Sequence, residues 1–304
     1  MRMFVAVTDN DWFKFLKNIK PDEVNFWQPG RRRNFRALKE GELFLFKLHS
    51  PYNYVVGGGI FVRQAFFPLS LTWDIFGIKN GRASREEFME AIYSYRRTDM
   101  LSEPDPIIGS LVLAEPFFFQ KQDWIPVPRS WSPHIVQGKT YNTGSPDGKM
   151  LYEAVQHRLV ESAIAAEHQA LYGKPQLIKP RLGQGGFRIT VTQAYDNRCA
   201  MTGERTLPVL NAAHIKPYSK NGPHATSNGL LLRQDVHTLF DRGYITVTTD
   251  SVVEVSKRIK EDYGNGRDYY KLHGHPLLKL PERADERPSA QFLQWHNENV
   301  YVGQ

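Results

Sequence analysis

Three short stretches of this sequence gather side chains that can do hydrolytic chemistry: Leu210-Asn211-Ala212-Ala213-His214-Ile215, Asn228-Gly229-Leu230-Leu231-Leu232, and Asp235-Val236-His237-Thr238-Leu239-Phe240-Asp241. A neutral imidazole at His214 can take a proton from water near pH 7, and a side-chain hydrogen bond from Asn228 can fix its orientation. His237 and Asp241, four residues apart, project from one face of a helix. A divalent cation between them would neutralise charge developing on a phosphate and its leaving oxygen. The set suits hydrolysis of a phosphodiester. Singly, each part is bland: a lone strand histidine is more often structural, Asn-Gly is usually a turn, and a His/Asp pair at this spacing is usually an exposed helix pair. The conjunction in this order is much rarer.

The elements that must position these groups follow from the same residues. Val209 to Ile215 reads as a short strand closed by Lys216-Pro217, and a polar loop runs from Tyr218 to Ser227. Asn228-Gly229 then turns the chain into a second apolar strand, and Asp235 is placed to cap a helix. This strand-loop-strand-helix order resembles the HNH endonuclease family, whose nuclease unit is the ββα-metal fold, over about residues 186–245. The resemblance implies that His214 is the general base, Asn228 the residue that orients it and His237 a metal ligand, with Asp241 where the family often has another. It implies a divalent ion, Mg²⁺ or Mn²⁺. Many members carry Asp immediately before the first histidine; here that position is Ala213, which makes Asp235 a reserve ligand.

Other readings of this half are weaker. Several HNH nucleases brace the unit with paired cysteines, but this chain has one, Cys199, so no structural zinc is expected and Cys199 reads as a small core residue. A three-histidine zinc site of His214, His224 and His237 is set aside because His224 lies in the polar loop. Leu182-Gly183-Gln184-Gly185-Gly186 lacks the Gly-Lys-Ser/Thr ending of a phosphate loop and reads as a flexible turn.

The first half reads as strand-rich. Glu42 to Leu48 and Tyr54 to Val62 are two strands around His-Ser-Pro-Tyr-Asn, Ile107 to Phe119 is a long apolar segment, and Ser84 with Glu87 marks a helix start. Of the 38 Phe, Trp and Tyr residues, 24 lie in the first 140, so the aromatic content, not the charge, separates the halves. The order Asp22 to Trp27, Arg31-Arg32-Arg33-Asn34-Phe35-Arg36, Glu42 to Lys47 and Gly57 to Phe61 resembles the PUA-like superfamily of EVE, SRA and YTH domains. These are small barrels that hold a flipped, modified base in an aromatic pocket. By that resemblance Trp27 and Trp73 stack on the base with Tyr52 and Tyr54 behind them, and Asn25 and Ser50 read its edge. Arg31, Arg32, Arg33 and Arg36 then grip phosphates.

Composition bounds these readings. The 304 residues suggest two domains, 41% hydrophobic content excludes general disorder, and a net charge of +7 favours a polyanion. No stretch reaches the roughly 18 apolar residues of a membrane span, and the first residues lack a signal-peptide core. The cytoplasm is the expected location. The expected fold is α+β: a PUA-like β-barrel over 1–137, a linker with an amphipathic helix over 138–180, and a ββα-metal domain over 181–304. Residues Leu151 to Leu171 carry that helix; Ile245 to Thr248 and Trp295-His296-Asn297 pack around the nuclease unit. The expected activity is that of a modification-dependent restriction endonuclease acting on double-stranded DNA with methylated or hydroxymethylated cytosine. A double-strand cut from one site per chain implies two chains acting together. The alternatives are a nicking or nonspecific HNH nuclease, a non-catalytic reader that has lost its metal, and an RNA-directed activity.

Overall fold

The computed structural model describes residues 1–30, 34–164 and 181–303, with the backbone alone for 161–164. The chain divides into two units, Met1–Arg181 and Leu182–Gln304.

The first unit opens with β1 (Arg2–Thr8) and α1 (Asn10–Ile19). Asp9 starts that helix because its carboxylate accepts the amide hydrogens of Asp11 and Trp12 at 2.9 and 2.7 Å. Its buried stripe is Trp12, Phe13 and Leu16. The chain continues through β2 (Glu23–Gln28), β3 (Leu43–Leu48), β4 (Tyr54–Pro68), α2 (Leu69–Phe76), α3 (Arg85–Arg96), β5 (Ile107–Phe118), β6 (Ile125–Pro126), β7 (Gly138–Asn142) and α4 (Pro146–Ile164). Ser84 caps α3 by accepting the Glu87 amide, as its sequence suggests.

The sheet runs β2-β5-β4-β3-β1-β7, with β6 added to β4, and among the described residues β1 and β3 alone pair in parallel. Strand period places Phe44, Phe46 and Leu48 among Trp12, Phe13 and Leu16, while Leu43 and Leu45 pack against Leu151 and Val155 of α4 on the opposite face. Cover on both faces is why these strands read as continuous apolar runs. Gly57 and Gly58 lie where β4 is pinched: a Cβ would strike the Phe117 carbonyl oxygen at one and the Phe44 carbonyl oxygen at the other.

Two expectations are corrected here. The sheet is an open path ending at β2 and β7, not a closed barrel, and among the described residues no ladder joins those strands. Residues 138–164 are not a linker either: β7 pairs antiparallel with β1, and Leu151, Val155 and Leu159 of α4 are buried in the core of the first unit. The expected continuation of that helix past Ile164 lies outside the described residues.

The second unit begins with α5 (Gln184–Ala194). Gln184, Gly185 and Gly186, read above as a flexible turn, form its first turn, and both glycines are buried. After β8 (Leu210–His214) comes the loop to β9 (Gly229–Arg233), then α6 (Gln234–Asp241), β10 (Ile245–Val247), β11 (Val253–Val255), α7 (Arg258–Tyr263), α8 (Arg267–Tyr270) and α9 (Ala290–Asn299). The β8 and β9 strands pair antiparallel, with Ala213 opposite Leu230 and His214 opposite Gly229. Phe187, Val191, Leu230, Leu232, Val236 and Phe240 share one core that joins α5, the hairpin and α6. Asp235 is not the cap of α6; Arg233 holds that position, and Asp235 lies in the first turn. No described helix is long and apolar enough to cross a membrane.

Candidate active site

His214 is the last residue of β8, and its imidazole lies flat against the Phe187 ring of α5, 3.8 Å between centroids and 14° between planes. Its Nε2 is 2.9 Å from Nδ1 of His224, whose own ring stacks on Tyr218 at 4.5 Å. Burial first, then the nearby His224 and His237, against the opposing Asp241 carboxylate, together push the His214 imidazole down to about 4. His214 is therefore a neutral base at pH 7.

His224 was set aside on sequence because it lies in a polar loop. The loop brings it back: residues 215–228 leave from His214 and return to Gly229, its pairing neighbour, so a histidine late in the loop comes to lie beside the strand end. The antiparallel pairing was the signal that could have found it. Phe187 was equally hidden, since nothing in the spacing announces α5.

Asn228 does not bond the His214 ring as expected. Fully buried, it accepts the Lys216 amide hydrogen through Oδ1 and donates through Nδ2 to the carbonyls of Lys216 and Pro223, each at 2.9 Å. It clamps both ends of the loop, and its own carbonyl takes the Ile215 amide at 2.9 Å. Its influence on His214 runs through the backbone.

On α6, His237 Nε2 lies 3.2 Å from Asp241 Oδ2, the i,i+4 geometry expected from sequence. An imidazole and a carboxylate suit a divalent ion that keeps water or phosphate oxygens in its other positions. Among the described residues no group of three or more His, Cys, Asp or Glu that could hold a metal ion is found. Asp235 is no reserve ligand: Arg233 binds both its oxygens at 2.7 and 2.8 Å and the Tyr269 hydroxyl donates to it at 3.2 Å. Ala213 is fully buried in the apolar core, where a carboxylate would be desolvated. Cys199 is buried as expected and accepts the Arg233 amide hydrogen.

The first unit holds a cavity of about 790 Å³ whose walls include Phe4, Trp12, Phe26, Trp27, Phe35, Phe44 and Tyr95. Its polar groups include Asp9, Gln28, Arg36 and His49. Gln28 accepts a hydrogen bond from Gln64 at 3.0 Å through Oε1, which leaves its amide N–H groups as donors for the cavity. Asp9 is held by the α1 amides and by the Tyr95 hydroxyl at 2.9 Å. Burial, the Asp9 hydrogen bond and the Asp9 charge push Tyr95 up to about 12.

Of the residues expected to hold a base, only Trp27 lines this cavity, and it is a wall rather than a free face. Its Nε1 donates to the Asn80 carbonyl at 2.9 Å and it is 8% exposed. Asn25 is buried and donates to Asn80 Oδ1, Trp73 packs on Phe88, Ser50 sits in an exposed turn and Tyr52 meets Trp124 edge-on. Strand period explains Asn25: it shares the Trp27 face of β2, which is turned toward Asn80, whereas Phe26 packs against Phe44. Arg36 does reach the cavity; Arg31, Arg32 and Arg33 lie outside the described residues.

The two-stranded hairpin closed by a buried asparagine, with histidines at its strand end and on the following helix, is a ββα arrangement. Residues 199–248 match a family model described as HNH endonuclease. His214, Asn228, His237 and Asp241 all lie inside that match. No curated protein matches the chain. Among solved structures it is similar to ASCH from Zymomonas mobilis, at 11% identity over 50% of this chain and 94% of that one, with a TM-score of 0.35. It is similar to the modification-dependent TagI restriction endonuclease at 15% identity over 92% and 75%, TM-score 0.27. It is also similar to the type IV phosphorothioation-dependent restriction endonuclease ScoMcrA at 12% over 77% and 45%, TM-score 0.20. At these scores the likenesses define no shared fold.

Proposed function

We propose that this chain is a modification-dependent restriction endonuclease: it takes a modified cytosine, 5-methyl or 5-hydroxymethyl, out of double-stranded DNA into the cavity of the first unit and cleaves the backbone with its HNH unit. The observation that carries this reading is the aromatic cavity itself, present in the same chain as a nuclease site. A base that leaves the stack needs π-faces to replace its neighbours and donors to read its edge. The Phe26 and Phe35 rings and the Gln28 amide supply both, and the cavity is within the roughly 300–1,000 Å³ of small-molecule sites. Trp27 walls the cavity, and Arg36 at its mouth suits a phosphate.

In the nuclease unit His214 takes the proton of the attacking water. The water oxygen bonds to phosphorus as the bond to the leaving oxygen breaks, and the electron pair departs with that oxygen. A divalent ion, Mg²⁺ or Mn²⁺, held by His237 and Asp241 would neutralise the charge that accumulates on the phosphate. Two chains acting together would give a double-strand cut.

The test is a digest of plasmids identical except for cytosine modification, in Mg²⁺ or Mn²⁺. Cleavage of the modified plasmid alone supports the reading. Equal cleavage of both removes the base reader, and cleavage of neither, with binding retained, removes the nuclease.

A further inference from the structure

His214 and His224 face each other through one nitrogen each, Nε2 and Nδ1, 2.9 Å apart. Two neutral imidazoles at that distance hold a single proton between them: two N–H groups would collide, and two lone pairs would repel. The proton's place decides what the other nitrogen of His214 can do. If it sits on His214 Nε2, then Nδ1 carries a lone pair and can accept a proton from water. If it sits on His224, then His214 Nδ1 is protonated and the residue has no base to offer.

We propose that His224 is the positioning residue of the nuclease site, accepting the His214 Nε2–H and so holding His214 in the tautomer whose Nδ1 is basic. The inference rests on the reading of His214 as the general base.

Three observations support it beyond the contact. Both rings are held in plane by aromatic neighbours, His214 by Phe187 and His224 by Tyr218, the latter at 9° between planes. The backbone before His224 is fixed, because Asn228 Nδ2 donates to the Pro223 carbonyl, while the same side chain accepts the Lys216 amide hydrogen through Oδ1 and donates to the Lys216 carbonyl through Nδ2. Finally, among the described residues no other group hydrogen-bonds the His214 ring, so His224 alone sets its tautomer. An orienting partner on the far nitrogen is what a histidine base needs, and Asn228 does not supply it.

The experiment uses the full chain with ¹⁵N-labelled histidine. Side-chain ¹⁵N NMR of the free protein reports the His214 tautomer without DNA or metal, and single-turnover cleavage gives the rate. The wild type should show His214 protonated on Nε2. His224→Asn keeps an acceptor close to the position of Nδ1, so it should keep that tautomer and a rate within about tenfold of wild type. His224→Phe should give a mixture of tautomers and a rate lower by about 10²-fold or more, with little change in KM for DNA.

Wild-type His214 protonated on Nδ1 overturns the proposal, as does full cleavage by His224→Phe. A His224 variant restored to the wild-type rate by raised Mn²⁺ also overturns it, since His224 would then be a ligand. If His214→Ala cleaves normally while the wild type shows the Nε2–H tautomer, the assignment of the base fails and the pairing stands. The tautomer reading on the wild type does not depend on any variant folding.

Discussion

Asn228 and Lys216 are joined by a reciprocal pair of hydrogen bonds, amide hydrogen to Oδ1 and Nδ2 to carbonyl oxygen, both 2.9 Å. The second HNH residue is therefore a loop clamp, and it acts on His214 at one remove.

Replacing Asn228 with Ala should lower stability by about 3 kcal/mol, because it leaves the Lys216 amide and two carbonyls without their buried donor and acceptor. Asn228→Asp should cost as much, since a carboxylate cannot donate to the Lys216 and Pro223 carbonyls. Denaturant unfolding measures both; a wild-type midpoint for either variant would show that the clamp is dispensable.

His214→Ala should slow cleavage by about 10²- to 10⁴-fold while leaving DNA affinity within about threefold of wild type. Paired cleavage and binding assays read the two separately. Retained cleavage would remove His214 from the role of base.

The metal requirement should track α6. His237→Ala should raise the Mn²⁺ concentration needed for half-maximal cleavage at least about tenfold, and EDTA should stop the wild type. Undiminished activity in EDTA would count against the donor pair described here.

Acid should destabilise the fold in a defined window. His296 is 2% exposed, stacked on Phe240 and bonded to its carbonyl oxygen at 3.1 Å. Burial lowers its imidazole to about 4 from 6.5, against the raising effects of the Phe240 hydrogen bond and the Asp241 charge. Between those values the unfolded chain binds more protons than the folded one, so stability present above pH 6.5 is lost as the pH falls toward 4. One such group contributes a slope of up to about 1.4 kcal/mol per pH unit. Urea unfolding at pH 7 and pH 5 measures it. His296→Gln should flatten the dependence, and an unchanged slope would exclude His296 as its source.

In the first unit, Phe35→Ala should reduce the preference for modified over unmodified duplex, while Trp73→Ala should leave that ratio unchanged because Trp73 stands apart from the cavity against Phe88. Trp27→Ala should lower stability by about 3–5 kcal/mol as a core truncation. Competition binding with the two duplexes decides between Phe35 and Trp73.

What sequence made legible was local. The hairpin and α6 could be read because Leu210 to His214, Asn228-Gly229 and Val236 to Asp241 carry strand period, turn chemistry and helix spacing in residues a few positions apart. Helix α5 could not: Ile189-Thr190-Val191-Thr192 is β-branched, and only packing of Phe187 and Val191 under the hairpin makes it helical. Trp73, Tyr52 and Asn25 were misplaced for a related reason. Which face of a strand or helix looks into a cavity depends on register, as with Asn25 opposite Val112 and Phe26 opposite Leu111, and register is a property of pairs of strands.

The loop between the two histidines has a further property. The Gly222 amide bonds back to the Pro217 carbonyl at 3.0 Å, so Pro217 to Gly222 forms a small closed excursion whose tip, Lys220 and Asn221, is exposed. Doubling the length of such a tip costs only about 0.6 kcal/mol, so it can host a reporter. The one native cysteine, Cys199, is buried. A thiol placed by Lys220→Cys can therefore be labelled selectively, putting a dye on the loop between His214 and His224 with both histidines left in place.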